Sequence, residues 1–263
     1  MRITKYPSDL TDDQWERIRR LLPKRRRGKA GRPRAIDRRD LIDAILYLLR
    51  TGCQWRMLPK DFPPWGTVAS QFYRWRTSGV WERLHQALYA QTREFENKGP
   101  KPTAGIIDSQ SVKTTEQGGP RGYDAGKKVN GRKRHVVVDT LGLLIAVVVT
   151  PANVQDYDAA PVVLAAAKRR FRSLQLIWAD GIYGYCQLVD RVWLMFTLVL
   201  EIVKRPMGAK FVALPRRWVV ERTLAWLSRS RRLSKDYERS IAVSETMVQL
   251  GMIHVMLRRL TVA

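Results

Sequence analysis

Two carboxylates lie where the sequence pattern of a strand favours an apolar residue. Asp108 interrupts Gly105–Val112, a stretch rich in β-branched residues that is typical of a strand. An ionised carboxylate on a half-buried strand costs free energy unless a cation or several hydrogen-bond donors compensate it. Two interpretations of Asp108 stay open from this stretch alone. The residue either ends the strand and caps the Ser109–Thr115 turn, or it serves a functional site.

Asp180 is the second such residue, at the end of the apolar stretch Leu174–Ala179 and before Gly181. An Asp in this position commonly caps a turn, and taken alone that is the favoured interpretation. In open α/β sheets, however, ligands bind at the carboxyl ends of the strands. Because Asp108 and Asp180 occupy comparable positions on two strands that could be neighbours, the functional interpretation gains weight.

A third carboxylate, Glu221, lies in a predicted helix over Arg216–Leu227. Arg217 and Glu221 are four residues apart and share a helix face, and Ser228 lies two turns further along it. The alternative is an exposed ion pair worth a few tenths of a kcal/mol. The rest of the helix is apolar, including Trp218, so we expect it to pack on the sheet and to carry Glu221 toward the strand carboxylates.

Three converging carboxylates have a clear chemical use. Cleavage of a phosphodiester needs an activated oxygen nucleophile and a stabilised leaving oxygen, and two Mg²⁺ ions roughly 3.5–4 Å apart can serve both. Mg²⁺ prefers hard oxygen ligands, so Asp and Glu suit it, and Mn²⁺ is an expected substitute.

The composition indicates a polyanionic partner. The chain has 263 residues, 48 Lys and Arg against 24 Asp and Glu, and a net charge of +24, which favours nucleic acid. No apolar run suits a bilayer span and no signal peptide is apparent, so we expect a cytoplasmic, nucleoid-associated protein without a membrane partner. Cys53 and Cys186 are isolated, and the three histidines are scattered, which argues against a zinc site.

The first hundred residues predict a compact helical unit. Thr11 and Gln14 have capping-box spacing, and we predict helices over 38–49, 67–76 and 80–95. The short third helix presents Gln71, Arg74 and Arg76 outward and resembles a helix-turn-helix, although many small bundles look the same. The tryptophans of this region are interpreted as core residues rather than as a base-stacking surface.

Two segments of low complexity flank these helices. Seven of the eleven residues in Lys24–Arg34 are basic, which indicates a DNA contact over a merely solvated loop. Asn97–Pro102 is rich in Gly, Pro and Lys and is the best domain boundary. We therefore predict a DNA-binding domain over residues 1–98 and a catalytic domain over 103–263.

The second part of the chain alternates strands and helices. Gly118–Gly131 is rich in Gly and Lys and predicts a flexible loop or turn. The remaining predicted elements are strands over 106–112, 134–139, 143–150, 174–180 and 198–203, and helices over 158–170, 185–193 and 216–227. This order is an α/β order of the ribonuclease H type, with a mixed five-stranded sheet and flanking helices.

Four motifs in this order resemble one family closely: Ile107-Asp108-Ser109-Gln110-Ser111, Gly122-Tyr123-Asp124-Ala125-Gly126-Lys127-Lys128, Trp178-Ala179-Asp180-Gly181, and Arg217-Trp218-Val219-Val220-Glu221-Arg222-Thr223. They resemble bacterial insertion-sequence DDE transposases with a helical N-terminal region and a ribonuclease H-like core. The resemblance extends from Leu10 nearly to the C-terminus, and it implies that Asp108, Asp180 and Glu221 are the metal-binding catalytic triad.

The same resemblance implies accessory contacts to DNA. The group's signature sets Tyr, Arg, Glu and Lys around the helix that carries the Glu. Arg217 and Glu221 match it, whereas Leu214 replaces the Tyr and Ser228 replaces the Lys, with Arg229 as a neighbouring substitute. The basic residues expected to contact DNA are Arg25, Arg26, Arg27, Arg74, Lys127, Lys128, Arg132, Lys133, Arg217 and Arg229.

The expected activity is Mg²⁺-dependent cleavage at terminal inverted repeats and transfer of the freed 3′-OH to target DNA. The resemblance implies a dimer or higher multimer on double-stranded DNA. Two alternatives remain: a DNA-binding regulator or decayed transposase without catalysis, and a ribonuclease H-like nuclease without strand transfer. Asp139, Asp156 and Asp158 are further acidic residues of this half that no motif selects.

Overall fold

The structure is a computed structural model that describes residues 4–23, 36–203 and 217–261. The predicted basic loop Lys24–Arg34, with Arg25, Arg26 and Arg27, lies outside the described residues, as does Leu214 of the signature. The assignments made for these residues stay predictions.

Four helices form the N-terminal region, as the sequence predicts. They are α1 (Asp12–Arg19), α2 (Arg38–Thr51), α3 (Trp65–Thr77) and α4 (Val80–Phe95). The predicted capping box opens α1, because the Thr11 side chain accepts from the Gln14 amide and the Gln14 side chain accepts from the Thr11 amide. Trp75 and Trp81 are buried at the contact of α3 with α4, as expected for core residues.

A mixed six-stranded sheet follows, rather than the predicted five strands. Its strands are β1 (Ala104–Lys113), β2 (Gly122–Asp124), β3 (Val129–Asp139), β4 (Leu144–Pro151), β5 (Leu176–Ala179) and β6 (Val199–Ile202). The additional strand β2 lies inside the predicted loop Gly118–Gly131, because it pairs in a hairpin with the start of β3. Strand β3 runs antiparallel to β1, β2 and β4, whereas β1, β5 and β6 are parallel.

Four helices accompany the sheet: α5 (Asp156–Arg170), α6 (Leu188–Phe196), α7 (Trp218–Ser228) and α8 (Ile241–Thr261). The sequence predicts α5, α6 and α7 with small shifts at their ends, but not α8. Helix α8 is buried on most sides and contacts α1, α2, α4, α7 and β4. The result is the predicted class, a ribonuclease H-like α/β fold preceded by a helical region.

One hydrophobic core includes side chains from both the N-terminal helices and the sheet. Helix α8 makes this possible because one helix packs against α4 and β4 together. The predicted domain boundary between residues 98 and 103 marks only a position in the sequence. That residues 1–98 fold independently of residues 103–263 stays a prediction. None of the helices in the described ranges is long and apolar enough to cross a membrane.

A buried carboxylate joins α4 to the end of β3. Asp139 is fully buried and accepts hydrogen bonds from the Tyr89 hydroxyl at 2.8 Å and from the Arg93 guanidinium. The amides of Leu141 and Leu143 each donate to its other oxygen at 2.9 Å. Burial, and then the neighbouring carboxylate, raise the pKa of Tyr89, which therefore stays a donor. Asp139 thus has a structural role, and its oxygens are fully used by protein donors.

Candidate active site and nucleic-acid interface

The sheet sets Asp108 and Asp180 side by side. Strands β1 and β5 are parallel, with Gly105 opposite Ile177 and Ile106 opposite Trp178. Continued by two residues, this register brings Asp108 level with Asp180, on strands that lie about 4.8 Å apart. Asp108 is inside β1, which continues to Lys113, so the strand-ending interpretation of Asp108 is wrong. The two carboxylates are therefore neighbours at this edge of the sheet, and the charge of Asp180 acts on Asp108.

Asp108 is a carboxylate with little compensation. Its Oδ1 accepts a hydrogen bond from the Ser109 amide at 2.7 Å, and within the described residues no cationic side chain forms an ion pair with it. The pKa of Asp108 is raised to about 6, chiefly by burial and in smaller part by the nearby Asp180 carboxylate, while the Ser109 amide, Arg217 and Lys127 lower it. A site with this electrostatic character favours the arrival of a positive charge.

Asp180 combines a structural and a candidate functional role. Its Oδ1 accepts from the Ile182 amide at 3.1 Å, so the residue does cap the turn after β5. Its Oδ2 takes no part in the turn and accepts a long contact of 3.5 Å from Nη2 of Arg217. Turn capping and site formation are therefore compatible, because each uses a different oxygen.

Helix α7 carries Glu221 on its open face. Val219, Val220, Thr223 and Leu227 form the buried face, and α7 contacts β1 and β3 as well as α8. The exposed fraction of the Glu221 side chain is 63%. Glu221 therefore lies on the face of α7 that is exposed to solvent, opposite the face that packs on the sheet.

A tight turn fixes the position of α7. The Thr223 hydroxyl donates to the Gly142 carbonyl oxygen at 2.8 Å. Gly142 has φ +82°, and a Cβ atom there would lie 2.6 Å from the Thr223 oxygen, so glycine serves both the left-handed turn and the close approach. The turn between β3 and β4 and the helix thus hold each other in register.

Arg217 lies between the carboxylates. Its Nη2 is 3.5 Å from Oδ2 of Asp180 and 4.0 Å from Oε1 of Glu221, and its side chain is 15% exposed. It also lowers the pKa of Asp108 by its charge. The expected Arg217–Glu221 pair is present, but the guanidinium serves Asp180 at the shorter distance.

The donor set fits a divalent cation in part. Within the ranges that the structure covers, no three His, Cys, Asp or Glu side chains are gathered closely enough to hold a metal ion. Asp108 and Asp180 nevertheless offer hard oxygens at neighbouring positions of the sheet, and burial of Asp108 raises its pKa to about 6. Glu221 reaches the pair through Arg217 rather than directly. Two of the three expected ligands thus meet the requirement in this conformation.

A polar network beside Asp108 was missed by the sequence analysis. Asp124 accepts from the Ser111 hydroxyl at 2.6 Å and from the Lys127 amide at 3.0 Å, which shapes the turn between β2 and β3. The Lys127 ammonium then donates to the Ser109 carbonyl oxygen at 3.2 Å. Asp124 follows Tyr123 in one of the recognised motifs, so the motif could have indicated a role, though not the Ser111 partner. The network places one lysine charge next to Asp108.

Tyr183 is a second feature that sequence reasoning did not identify. Its side chain is buried and its hydroxyl has no hydrogen-bond partner among the described residues. Burial raises the pKa of Tyr183, and the charges of Asp156, Asp108 and Asp180 raise it further. The hydroxyl therefore keeps its proton in a buried position where the charges of these carboxylates act on it.

The structure corrects two of the predicted DNA contacts. Arg132 is fully buried and donates to the carbonyl oxygens of Pro120, Glu238 and Arg239, with Asp236 at 3.2 Å. A side chain without exposed surface cannot reach a phosphate, so Arg132 instead ties β3 to the segment before α8.

Lys133 is the other residue to be corrected, for the same reason. It is 4% exposed, and its ammonium lies 3.2 Å from Asp156 and 3.5 Å from Asp124. These two carboxylates neutralise the charge that a DNA contact would need. Lys133 thus connects β3 to α5 and to the β2–β3 turn.

The remaining described candidates are on the surface. Arg74, Lys127, Lys128 and Arg229 are exposed, and Arg217 is close to the carboxylates. Arg74 lies on α3 with Gln71 beside it at 3.4 Å, consistent with an outward polar face on the predicted recognition helix. Their contacts with DNA stay predictions.

Helix α7 packs on β1 and β3 as expected, although Trp218, one of its apolar residues, is exposed. Its ring lies 4.4 Å from the Arg222 guanidinium, which is also 4.5 Å from the Trp226 ring. Arg259 of α8 covers the same Trp226 at 4.2 Å. Alternating indole and guanidinium groups hold α7 against α8, because such stacking is favourable when partly desolvated.

Replacing Ser228 with lysine is expected to be tolerated. Ser228 is exposed at the end of α7, and its hydroxyl only donates to the Ala225 carbonyl oxygen at 2.9 Å. A lysine adds one exposed charge on the Glu221 side, worth about 1 kcal/mol or less in DNA binding. Fluorescence anisotropy with a labelled duplex measures the gain, with Ser228→Gln as the uncharged control. Equal affinities for the two variants would exclude a DNA contact at this position.

Two family models match the chain. "Putative transposase of IS4/5 family" matches residues 10–85, and "Transposase DDE domain" matches residues 99–256. The two matches together cover the helical region from Leu10 and nearly all of the sheet with its helices.

The chain is also similar to individual proteins. It is 41% identical over 87 residues to an uncharacterized protein, y4sN, of Sinorhizobium fredii. The aligned region covers 33% of this chain and 67% of that protein. It is 30% identical over 154 residues to a putative transposase for insertion sequence element IS402 of Burkholderia cepacia. The aligned region covers 56% of this chain and 71% of that protein. The crystal structure of the Mos1 mariner paired end complex with Mn aligns over 89% and 79% at 12% identity, with a TM-score of 0.29. On the family models and the IS402 relative, this chain belongs to the DDE transposases of insertion sequences.

Proposed function

We propose that the chain cleaves DNA at the terminal inverted repeats of its insertion sequence and transfers the freed 3′-OH to target DNA, in a reaction that depends on Mg²⁺. The observation that carries the proposal is the adjacency of Asp108 and Asp180 on parallel strands, with Glu221 linked to Asp180 through Arg217. Membership of the transposase family supports the same activity.

Each carboxylate has a distinct part in this proposal. Asp108 and Asp180 would supply hard oxygen ligands for a divalent cation next to the reacting phosphate. Glu221 of α7 would supply the third carboxylate. A divalent cation, when bound, stabilises the negative charge that develops on the attacking and leaving oxygens.

The basic side chains near the carboxylates position the substrate. The charges of Arg217 and Lys127 both act on Asp108, and in this proposal they attract the phosphates that flank the cleaved bond. Arg74, exposed on α3, and the basic residues of the sequence Lys24–Arg34 bind the end sequence in this proposal. Phosphate contacts dominate such binding, so the affinity should fall steeply with salt. A dimer or higher multimer on paired ends is part of the same proposal.

The activity can be tested with a labelled duplex that carries an inverted repeat from the DNA flanking the gene. The full-length protein in Mg²⁺ should cut one strand at the element end and join the 3′-OH to an added plasmid, and Mn²⁺ should replace Mg²⁺. A chelator should abolish both products while leaving a shifted complex.

The outcomes separate the alternatives. Binding without cleavage in either metal would indicate a DNA-binding regulator. Cleavage without joined products would instead indicate a nuclease that lacks strand transfer.

A further inference from the structure

We propose that Arg217 is an internal counter-ion, which holds the three carboxylates in a state of low metal affinity until a DNA phosphate draws its guanidinium away. The inference rests on the proposed function and adds a coupling between DNA and metal that no sequence motif indicates. Arg217 acts through the carboxylates and is therefore a positioning residue.

The first argument is the geometry of Arg217. One nitrogen, Nη2, is shared between Oδ2 of Asp180 at 3.5 Å and Oε1 of Glu221 at 4.0 Å. Charge-assisted hydrogen bonds between a guanidinium and a carboxylate are usually 2.7–2.9 Å long, roughly, so both contacts are loose. Arg217 can therefore leave these carboxylates for a partner that binds its guanidinium more tightly, with little loss of free energy. The side chain is 15% exposed and therefore has a route to the surface.

The second argument is the local charge. Asp108, Asp180 and Glu221 carry three negative charges when ionised, and Arg217 contributes one positive charge among them. The guanidinium keeps its proton in proteins, so its charge can leave the site only by movement of the side chain. While Arg217 is present, it repels a divalent cation and occupies Oδ2 of Asp180. When it moves out, the attraction for a divalent cation rises and that oxygen becomes free.

The third argument is the choice of partners available to Arg217. A phosphate in the active site offers bidentate oxygens to a guanidinium, which is the geometry that arginine favours. When DNA binds, its phosphate takes the guanidinium of Arg217 away from the carboxylates, and the positive charge there no longer repels a cation. When a cation binds first, it neutralises the carboxylates, so that they no longer compete with the phosphate for Arg217. By linkage, each ligand raises the affinity of the other by the same factor. Coupling of this kind limits metal loading to the complex that contains substrate.

The experiment compares Mn²⁺ affinity of the parent with that of Arg217→Gln in the absence of DNA, measured by the loss of free Mn²⁺ signal in electron paramagnetic resonance. Arg217→Gln should bind Mn²⁺ about tenfold more tightly, a coupling within the common range. Arg217→Lys keeps the charge and should stay near the parent. Arg172→Gln removes an exposed arginine after α5 and serves as the control for net charge.

A second measurement follows the coupling itself. The affinity of the parent for a labelled end duplex is measured by anisotropy with Ca²⁺ and with chelator at equal ionic strength. Ca²⁺ should raise the parent's affinity, and in Arg217→Gln the ratio of the two affinities should shrink by about fivefold or more. The same ratio in Arg172→Gln should match the parent.

The results distinguish this inference from the proposed function. Mn²⁺ binding that depends on Asp108 and Asp180 but is equal in the parent and in Arg217→Gln would overturn the counter-ion role alone. Mn²⁺ binding that Asp108→Asn and Asp180→Asn leave unchanged would remove the metal site from these carboxylates, and the counter-ion role with it. Thermal melting without metal gives an independent check, since Arg217→Gln should melt at a lower temperature than Arg172→Gln because three carboxylates then repel one another.

Discussion

Replacing Asp108 with asparagine is expected to reduce cleavage of an end duplex by at least two to three orders of magnitude, roughly the effect of removing one group that stabilises a transition state. Asp180→Asn and Glu221→Gln should have similar effects. Each substitution keeps the shape of the side chain and removes a negative charge that should hold the metal. Binding of end DNA should stay equal or improve, because one charge that repels phosphate is lost. Gel assays of cleavage and of binding measure the two effects separately.

Asp190→Asn is the matched control for this series. Asp190 is exposed on α6, so its replacement removes the same charge and should leave cleavage unchanged. A folded Glu221→Gln protein that cleaves nearly as fast as the parent would remove Glu221 from the site. Glu221 is the most informative member of the triad, because its side chain is largely exposed and is linked to Asp180 only through Arg217.

The same Asp108→Asn substitution is expected to stabilise the metal-free protein at pH 8. The pKa of Asp108 is raised from 3.8 to about 6 in the folded state, chiefly by burial. A group of this kind contributes stability that is fully present below its unfolded pKa and is lost as pH rises through the folded pKa. The ionised carboxylate therefore costs on the order of 1–3 kcal/mol at pH 8, and asparagine avoids that cost.

Urea unfolding at pH 8 and at pH 5 measures the difference between the parent and Asp108→Asn. The gain from asparagine should be largest at pH 8 in chelator and about half as large at pH 5, which lies between the unfolded pKa of 3.8 and the folded pKa of about 6. An equal gain at both values would attribute it to packing rather than to ionisation. Ionisable side chains whose charged form lowers the stability of the folded protein are common at catalytic positions.

The sequence was sufficient to place the two strand carboxylates. The alternation of apolar residues marked Asp108 as unusual within β1, and the apolar run before Asp180 marked the end of β5. The sheet register then set the two side by side, as the parallel order required. Local patterns could do this because both signals lie within a few residues of the carboxylate itself.

The buried charges could not be predicted from local patterns. Arg132 and Lys133 look like solvent-facing residues in a basic stretch, yet Arg132 is neutralised by Asp236 and Lys133 by Asp156 and Asp124. These partners are far away in the sequence, and only the folded chain brings them together. Helix α8 was missed for a related reason, since a helix buried on most sides lacks the polar face that gives a helical period.

Asp139 gives the clearest test of how the N-terminal helices depend on the sheet. Its buried oxygens accept from Tyr89 and Arg93 of α4 and from two amides of the β3–β4 turn. Asp139→Ala should lower the free energy of unfolding by about 3–5 kcal/mol, because the Arg93 charge is left buried without its partner. Glu16→Ala breaks the exposed pair with Arg19 and should cost at most about 1 kcal/mol.

Urea unfolding of the two variants, followed by circular dichroism and by tryptophan fluorescence, measures these losses. The two probes should give one coincident transition for Asp139→Ala, because α8 shares its core with both α4 and β4. Separate transitions would show that residues 1–98 fold as an independent domain. A loss as small as that of Glu16→Ala would mean that Asp139 does not join the helices to the sheet, and the union of the two halves would then rest on the apolar contacts of α8 alone.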